Sequence, residues 1–150
     1  MAATSTVGPV KAALKTMLAS TLTSAQVIYG RRGPFVKNDL VIVGNARGTV
    51  TPAILGPTRK RDEVYLLEVT VLCSRPNTTD QQAVTEAALA LYTAAENAIR
   101  TQAGENLGVA NVMWARPTGD FELVEADDPE VLAKATEAAV TFTVEVKARI

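Results

Sequence analysis

Two segments of the chain show the hydrophobic spacing of amphipathic helices. Between residues 9 and 22, apolar side chains recur every three or four positions, and residues 81–102 carry a narrow, alanine-rich apolar stripe. Thr79 or Asp80 stands at the N-cap position of the second segment. The pattern therefore predicts two helices, the second of which can approach a sheet closely.

Short β-rich runs and strict alternation predict strands elsewhere. The predicted strands are residues 26–29, 40–43, 49–55, 63–74, 109–115, 120–125 and 140–150. The turn-forming types in residues 44–48 predict a hairpin before residues 49–55, with Pro52 restricting that strand to a sheet edge. Residues 116–119 also have the composition of a turn. Residues 63–74 have one apolar face and one mixed face, so a further layer is expected to cover the second face.

The order of these elements predicts the fold class. Because several hairpin-like strands separate the two helices, we expect an α+β fold with a mostly antiparallel sheet of about five to six strands and two main helices packed on one face. No repeat or linker interrupts residues 1–150, which are expected to form a single domain. The predicted core consists of Leu14, Leu18, Ile28, Leu67, Val69, Val71, Val84, Leu91, Ile99, Phe142, Val144 and Val146.

Composition removes most enzyme classes. The chain has no histidine, which is the usual general base and zinc ligand, and no residue spacing typical of another nucleophile. Its single cysteine, Cys73, falls on the apolar face of a strand and is interpreted as a packing residue, as are Tyr65 and Trp114. We therefore expect no enzymatic activity, no catalytic residue, no metal site and no cofactor.

Charge is unevenly distributed along the chain. The net charge is −1, but residues 1–75 carry +6 and residues 76–150 carry −7. This asymmetry has no function in one interpretation, and in another it lets one face of the protein meet the opposite face of a second copy. The candidate interface residues are the basic Arg31, Arg32, Arg59, Lys60 and Arg61 and the acidic Glu125, Asp127 and Asp128.

Other interpretations of these charged and glycine-bearing loops remain open. The basic loops are either solvated, a protein contact or a DNA contact, and the acidic loop is either solvated, a docking surface or a cation or acid-base site. The loops at residues 30–33 and 44–48 contain the glycines of a phosphate cradle but lack the P-loop order, so turns are predicted there. The N-terminus lacks a signal peptide pattern, and no apolar run is long enough to cross a membrane, so the cytoplasm is expected.

Several motifs appear in an order that resembles a known family. In single-letter code they are VIYG at residues 27–30, DLVIVG at 39–44, RKRD at 59–62 and YLLEVTV at 65–71. Arg75-Pro76, the alanine-rich helix and the final strand follow. Together they resemble the tail terminator, or tail completion, proteins of long-tailed bacteriophages, especially phages of actinobacteria.

The resemblance implies a structural virion protein without catalytic activity. Such a protein forms a homohexameric ring on the finished tail tube, ends tube polymerisation and provides the surface to which the head attaches. The implied partners are further copies of the chain, the tail tube protein, a head-completion or neck protein, and DNA that passes through the lumen without sequence-specific binding. The implied location is the head-proximal end of the phage tail, after assembly in the host cytoplasm and without membrane contact. The alternatives are another head-to-tail junction protein, such as a head-closure or neck protein, and a small ligand-binding module.

Overall fold

The described part of the chain contains two helices and five strands. A computed structural model describes residues 5–30, 33, 35–52, 60–76, 78–102, 104–125 and 135–150. The strands form one sheet in the order β1-β2-β3-β5-β4, in which β1 and β2 are parallel and the other neighbouring strands are antiparallel. The predicted α+β class is confirmed. In chain order the elements are α1 (Val7–Thr21), β1 (Gln26–Tyr29), β2 (Asp39–Pro52), β3 (Arg61–Arg75), α2 (Gln81–Arg100), β4 (Val112–Glu125) and β5 (Thr136–Arg149).

Both helices pack on the same face of the sheet. The apolar stripe of α1 and the C-terminal half of the stripe of α2 belong to one buried cluster with the inward side chains of β2, β3 and β5. Asp80 is the N-cap of α2, and its side chain accepts a hydrogen bond from the Ala83 backbone N–H at 3.1 Å. Of the predicted core, Leu91 is only partly buried, and Ile28 is buried outside the two core clusters.

The two predicted turns at residues 44–48 and 116–119 are wrong. Both segments lie inside long strands, β2 and β4, and part of each segment forms a β-bulge. In β2 the bulge comprises Gly44 and Asn45, and in β4 it comprises residues 118–120. The physical reason is that β3 and β5 are long and uninterrupted, so each edge strand keeps pairing with its inner neighbour and the extra residues bulge out of the ladder.

The two bulges lie at the same level of the sheet. The β2 bulge is opposite Glu68, the β4 bulge is opposite Thr143, and Glu68 and Thr143 are themselves a cross-strand pair. On one side of this level the sheet has five strands, because β1 pairs with residues 40–43 of β2. On the other side it has four strands, and β2 becomes the edge.

The start of α1 is fixed to the sheet by a buried carboxylate. Glu63 is only 4% exposed, and its Oε1 accepts hydrogen bonds from the Thr6 backbone N–H at 2.9 Å and the Thr6 hydroxyl at 2.6 Å. The Tyr65 hydroxyl lies 3.1 Å from the same Thr6 oxygen. Burial by itself would raise the pKa of Glu63, but the hydrogen bonds from Ser5 and Thr6 outweigh burial and lower the pKa.

The variant Glu63→Gln is expected to lose about 1–3 kcal/mol of unfolding free energy at neutral pH, because a charged acceptor is replaced by a neutral one. The lowered pKa means that the stabilisation by Glu63 is complete above the ordinary carboxyl range and is lost as the pH falls through the native pKa. Urea unfolding should therefore separate the two proteins at pH 7 and bring them together at an acidic pH below the native pKa of Glu63. Glu86→Gln, at an exposed position of α2, is the control, and an equal loss at both pH values would contradict this role of the Glu63 charge.

Candidate interaction surfaces

The structure describes three of the eight candidate interface residues. Lys60, Arg61 and Glu125 are all exposed. Their exposure is compatible with the predicted interface and does not test it. The predictions for Arg31, Arg32, Arg59, Asp127 and Asp128 lie outside the described residues.

The described basic and acidic candidates lie at opposite ends of the sheet. Arg61 begins β3 and exchanges two backbone hydrogen bonds with Ile150, at 2.8 and 2.9 Å. Glu125 ends β4 and is opposite Ala138, which is opposite Cys73 near the far end of β3. At about 3.3 Å per residue, Arg61 and Cys73 are separated by about 40 Å. Lys60 and Arg61 can therefore meet Glu125 only in another molecule.

A hydrogen bond from α2 fixes the position of the Glu125 carboxylate. The Thr85 hydroxyl, on α2, donates a hydrogen bond to its Oε1 at 2.7 Å, and the Gln81 side chain donates to the Thr85 hydroxyl at 3.2 Å. These contacts attach the end of β4 to the beginning of α2. Their exposed location leaves the Glu125 carboxylate accessible to a partner.

The outer part of β2 is a free strand edge, as Pro52 predicted for the strand at residues 49–55, of which residues 49–52 are described. Residues 46–52 pair with β3 on one side, and on the other side no strand of the described chain pairs with them. Residues 47–52 are exposed, and Val50 is 47% exposed. Because residues 44–48 have turn-like composition, the sequence suggested a hairpin here instead of a continuous edge.

A concavity of about 190 Å³ lies beside this edge on the helix side of the sheet. Its walls include Val7, Val50 and Tyr65, and Gly48 forms part of its floor. A Cβ atom at Gly48 would lie 2.3 Å from the Tyr65 Cβ and 2.3 Å from the Val64 carbonyl oxygen. Glycine is therefore required for the close approach of β2 to β3, and it leaves the edge without a side chain at this point.

The opposite edge of the sheet is acidic and apolar. Within β4, Asp120, Glu122 and Glu125 are exposed, and no basic residue lies among residues 119–125. Phe121 is 56% exposed although its ring contacts Tyr92, with 5.3 Å between ring centroids. The two outer strands thus differ in charge, since the free part of β2 carries only Arg47.

The sheet face opposite the helices is mixed in polarity, as predicted. Leu40 and Ile42 are buried there, whereas Leu66 is 44% exposed, and a depression of about 530 Å³ lies beside Leu72. The prediction that another layer covers this face is not met by the described residues, whose two helices both pack on the other face.

Two side chains that carry potentially reactive groups, Cys73 and Tyr65, are buried in the fold. Cys73 is 1% exposed, and burial together with the nearby Asp39 carboxylate raises the pKa of its thiol to about 12. Tyr65 is buried as predicted. Trp114 is only half-buried, and the Arg116 guanidinium lies 4.0 Å from its ring centroid, which forms a cation–π pair.

Three further kinds of site concern phosphate binding, metal binding and membrane insertion. Residues 44–48 lie within β2, so they form no loop that could surround a phosphate. Within the described ranges, no group of three or more cysteine, aspartate or glutamate side chains is arranged to hold a metal ion. Neither described helix combines the length and apolar character needed to span a bilayer.

Comparison with known proteins shows a similarity of fold. Neither a family model nor a curated protein matches the sequence. Among solved structures, the fold is similar to that of a chain in the virion of a native gene transfer agent (GTA) particle, with a TM-score of 0.63 and 15% sequence identity. The alignment covers 97% of this chain and 100% of that chain. The two chains therefore share a fold over essentially their whole lengths.

Proposed function

We propose that this chain is a structural virion protein, specifically a tail terminator that forms a homohexameric ring on the tail tube. The ring ends tube polymerisation and provides the surface to which the head attaches. The observation that carries the proposal is the full-length fold similarity to a chain of a GTA virion. The motif order in the sequence supports the tail-terminator role within that class.

The surface of the protein also supports ring formation. A cyclic ring needs two different, complementary surfaces on each subunit, because each copy contacts its neighbours head to tail. This chain has two dissimilar sheet edges, one free and weakly basic and the other acidic and apolar. It also presents Lys60 and Arg61 about 40 Å from the end of the sheet that carries Glu125.

A non-enzymatic role fits the residues that are described. The single thiol is buried with its pKa raised to about 12, so it is a poor nucleophile near neutral pH. The buried carboxylate of Glu63 is occupied by hydrogen bonds from the start of α1. Both groups therefore stabilise the fold, which favours a structural role over a catalytic one.

The mass of the purified protein in solution tests the proposed ring. Light scattering across a concentration series, followed by negative-stain imaging, should show a species of six chains, each of 15.9 kDa, with six-fold rings. Rings that bind isolated heads instead of tail tubes would favour another head-to-tail junction protein. A stable dimer at all concentrations would contradict the ring and favour a ligand-binding module.

Reversal of the basic segment should weaken assembly. The triple change Arg59→Glu, Lys60→Glu and Arg61→Glu replaces three positive charges by negative ones in the sequence segment that leads into β3. We expect a loss of ring formation or tube capping, with a smaller effect at high salt, because screening weakens exposed charge pairs.

A matched reversal separates this effect from net charge. Lys15→Glu, Lys37→Glu and Arg100→Glu together change three exposed residues outside both proposed contacts, lower the net charge by the same amount, and should leave assembly nearly unchanged. Both proteins can be compared by light scattering at low and high salt. Unchanged assembly and capping in the triple variant would remove residues 59–61 from the interface.

A further inference from the structure

We propose that the free edge of β2 pairs with β4 of a second copy, as an antiparallel continuation of the sheet. In this pairing, residues 46–50 of one copy lie opposite residues 125–121 of the other, so that Thr49 is opposite Glu122 and Val50 is opposite Phe121. The proposal rests on the proposed ring, for which it names the surface between subunits. Repeated around a ring, each copy would use β2 on one side and β4 on the other. In this contact the neighbour's Glu125 lies about 20 Å from the level of Arg61, so residues 59–61 would meet other acidic groups of the neighbour or the tail tube.

The backbone of β2 has the hydrogen-bonding capacity for this pairing. An edge strand presents alternate N–H and C=O groups that a further strand can satisfy. In the described chain, residues 46–52 use only the side of β2 that faces β3. The strand directions also agree, because β2 and β4 run in opposite directions within one sheet, and a neighbour related by rotation about the ring axis keeps that relation.

The position of β1 determines which residues of β4 in the second copy can pair with β2. β1 occupies the outer side of β2 up to Val43, which is opposite Tyr29. In a neighbour that is not shifted along the strand direction, residues 121–125 of β4 lie at the height of residues 43–39 of β2, where they would collide with β1. Shifting the neighbour until its Glu125 lies opposite Ala46 avoids β1 and pairs the regular part of each strand, beyond both bulges.

This shift is of the size that a closed sheet requires. The shift is about six residues, or about 20 Å along the strands. Each copy contributes the four strands β2, β3, β5 and β4 to the continued sheet, and together these are about 19 Å wide. The corresponding strand tilt is about 45°, and closed sheets have tilts of about 35–45°. The shift is therefore compatible with a sheet that continues around a ring.

The pairing brings apolar side chains together on the helix side and opposite charges within reach on the other side. On the helix side, the exposed Val50 meets the exposed Phe121, and Leu123 lies over Gly48 beside the concavity of about 190 Å³. On the other side, Arg47 is diagonal to Glu122, a distance that long side chains can span. This register also places Ala46 opposite Glu125 and Arg47 opposite Val124. A shift by one residue would bring the helix side of one copy level with the opposite face of the other, so the face pattern restricts the register.

Engineered disulfides test this pairing directly. Thr49→Cys with Glu122→Cys places two thiols opposite each other across the proposed contact, whereas Thr49→Cys with Leu123→Cys places them on opposite faces and is the matched control. Within one chain, β2 and β4 are three strand spacings apart, about 14 Å, which exceeds the reach of a disulfide. The buried Cys73 should remain unreactive.

The expected result is conversion of most Thr49→Cys/Glu122→Cys monomer into covalent multiples of up to six chains under copper-phenanthroline oxidation, with little conversion in the control. Light scattering on the same samples measures assembly independently. Normal assembly with equal crosslinking in both variants would overturn the strand pairing and leave the proposed function intact. Crosslinked open chains without six-fold rings would support the pairing but contradict the ring. Monomers without crosslinks, with and without tail tubes, would overturn both.

Discussion

Replacing Phe142 with alanine is expected to lower the free energy of unfolding by about 3–5 kcal/mol. Phe142 is 2% exposed and lies in the inner strand β5, between Val69 of β3 and Phe121 of β4. Its ring meets Tyr92 of α2 edge-on, with 5.2 Å between centroids. The substitution therefore leaves a cavity where the second helix, both neighbouring strands and an aromatic pair converge.

Urea unfolding followed by circular dichroism measures this loss. Phe35→Ala is the control, because Phe35 is 56% exposed and should change stability by less than about 1 kcal/mol. An equal effect of the two substitutions would show that Phe142 does not occupy the centre of the core.

The variant Gly48→Ala is expected to cost about 1–3 kcal/mol of stability and to abolish assembly. A Cβ atom there would clash with the backbone of Val64 and Tyr65, and backbone cannot move aside as a flexible side chain can. The outer half of β2 must therefore move away from β3. Since the proposed contact between copies uses this half, assembly should be more sensitive than folding.

Gly8→Ala is the matched control for this variant. Gly8 lies in α1, and a Cβ atom there would contact nothing within 4 Å, so alanine should preserve or raise stability. Unfolding and light scattering on both variants separate the two effects. Full assembly of Gly48→Ala would mean that the edge of β2 is not part of the subunit contact.

The main elements of the fold could be predicted from the sequence because their signals are local. Alternation in β5 and in β3, and the apolar stripe of α2, depend only on which residues face the core. The buried positions of Leu14, Val69 and Val144 follow from the same periodicity.

The continuity of the edge strands could not be predicted in this way. Turns and bulges both contain glycine, asparagine and proline. Which of the two forms depends on whether the segment pairs with a distant strand. Gly48 and Pro117 both lie in strands because β3 and β5 provide long uninterrupted partners. The local composition therefore marked the positions where regular strand geometry is interrupted, but it predicted turns where the structure has bulges.

The candidate surface was only partly predictable for a related reason. Exposure of Lys60, Arg61 and Glu125 follows from their charge, but their separation along the sheet depends on strand register. The free edge of β2 is a property of the assembled sheet, because it exists where β1 is short. A weak sequence signal was present in Pro52, which indicated an edge strand.

Growth of tail tubes in the presence of the purified protein tests the central claim most directly. Tube subunits of the same virion are polymerised with and without the chain, and tube lengths and ends are measured by electron microscopy. The account predicts that elongation stops and that six-fold rings are present at one end of each tube. Tubes that continue to grow with bare ends, at protein concentrations well above that of the tube ends, would contradict it.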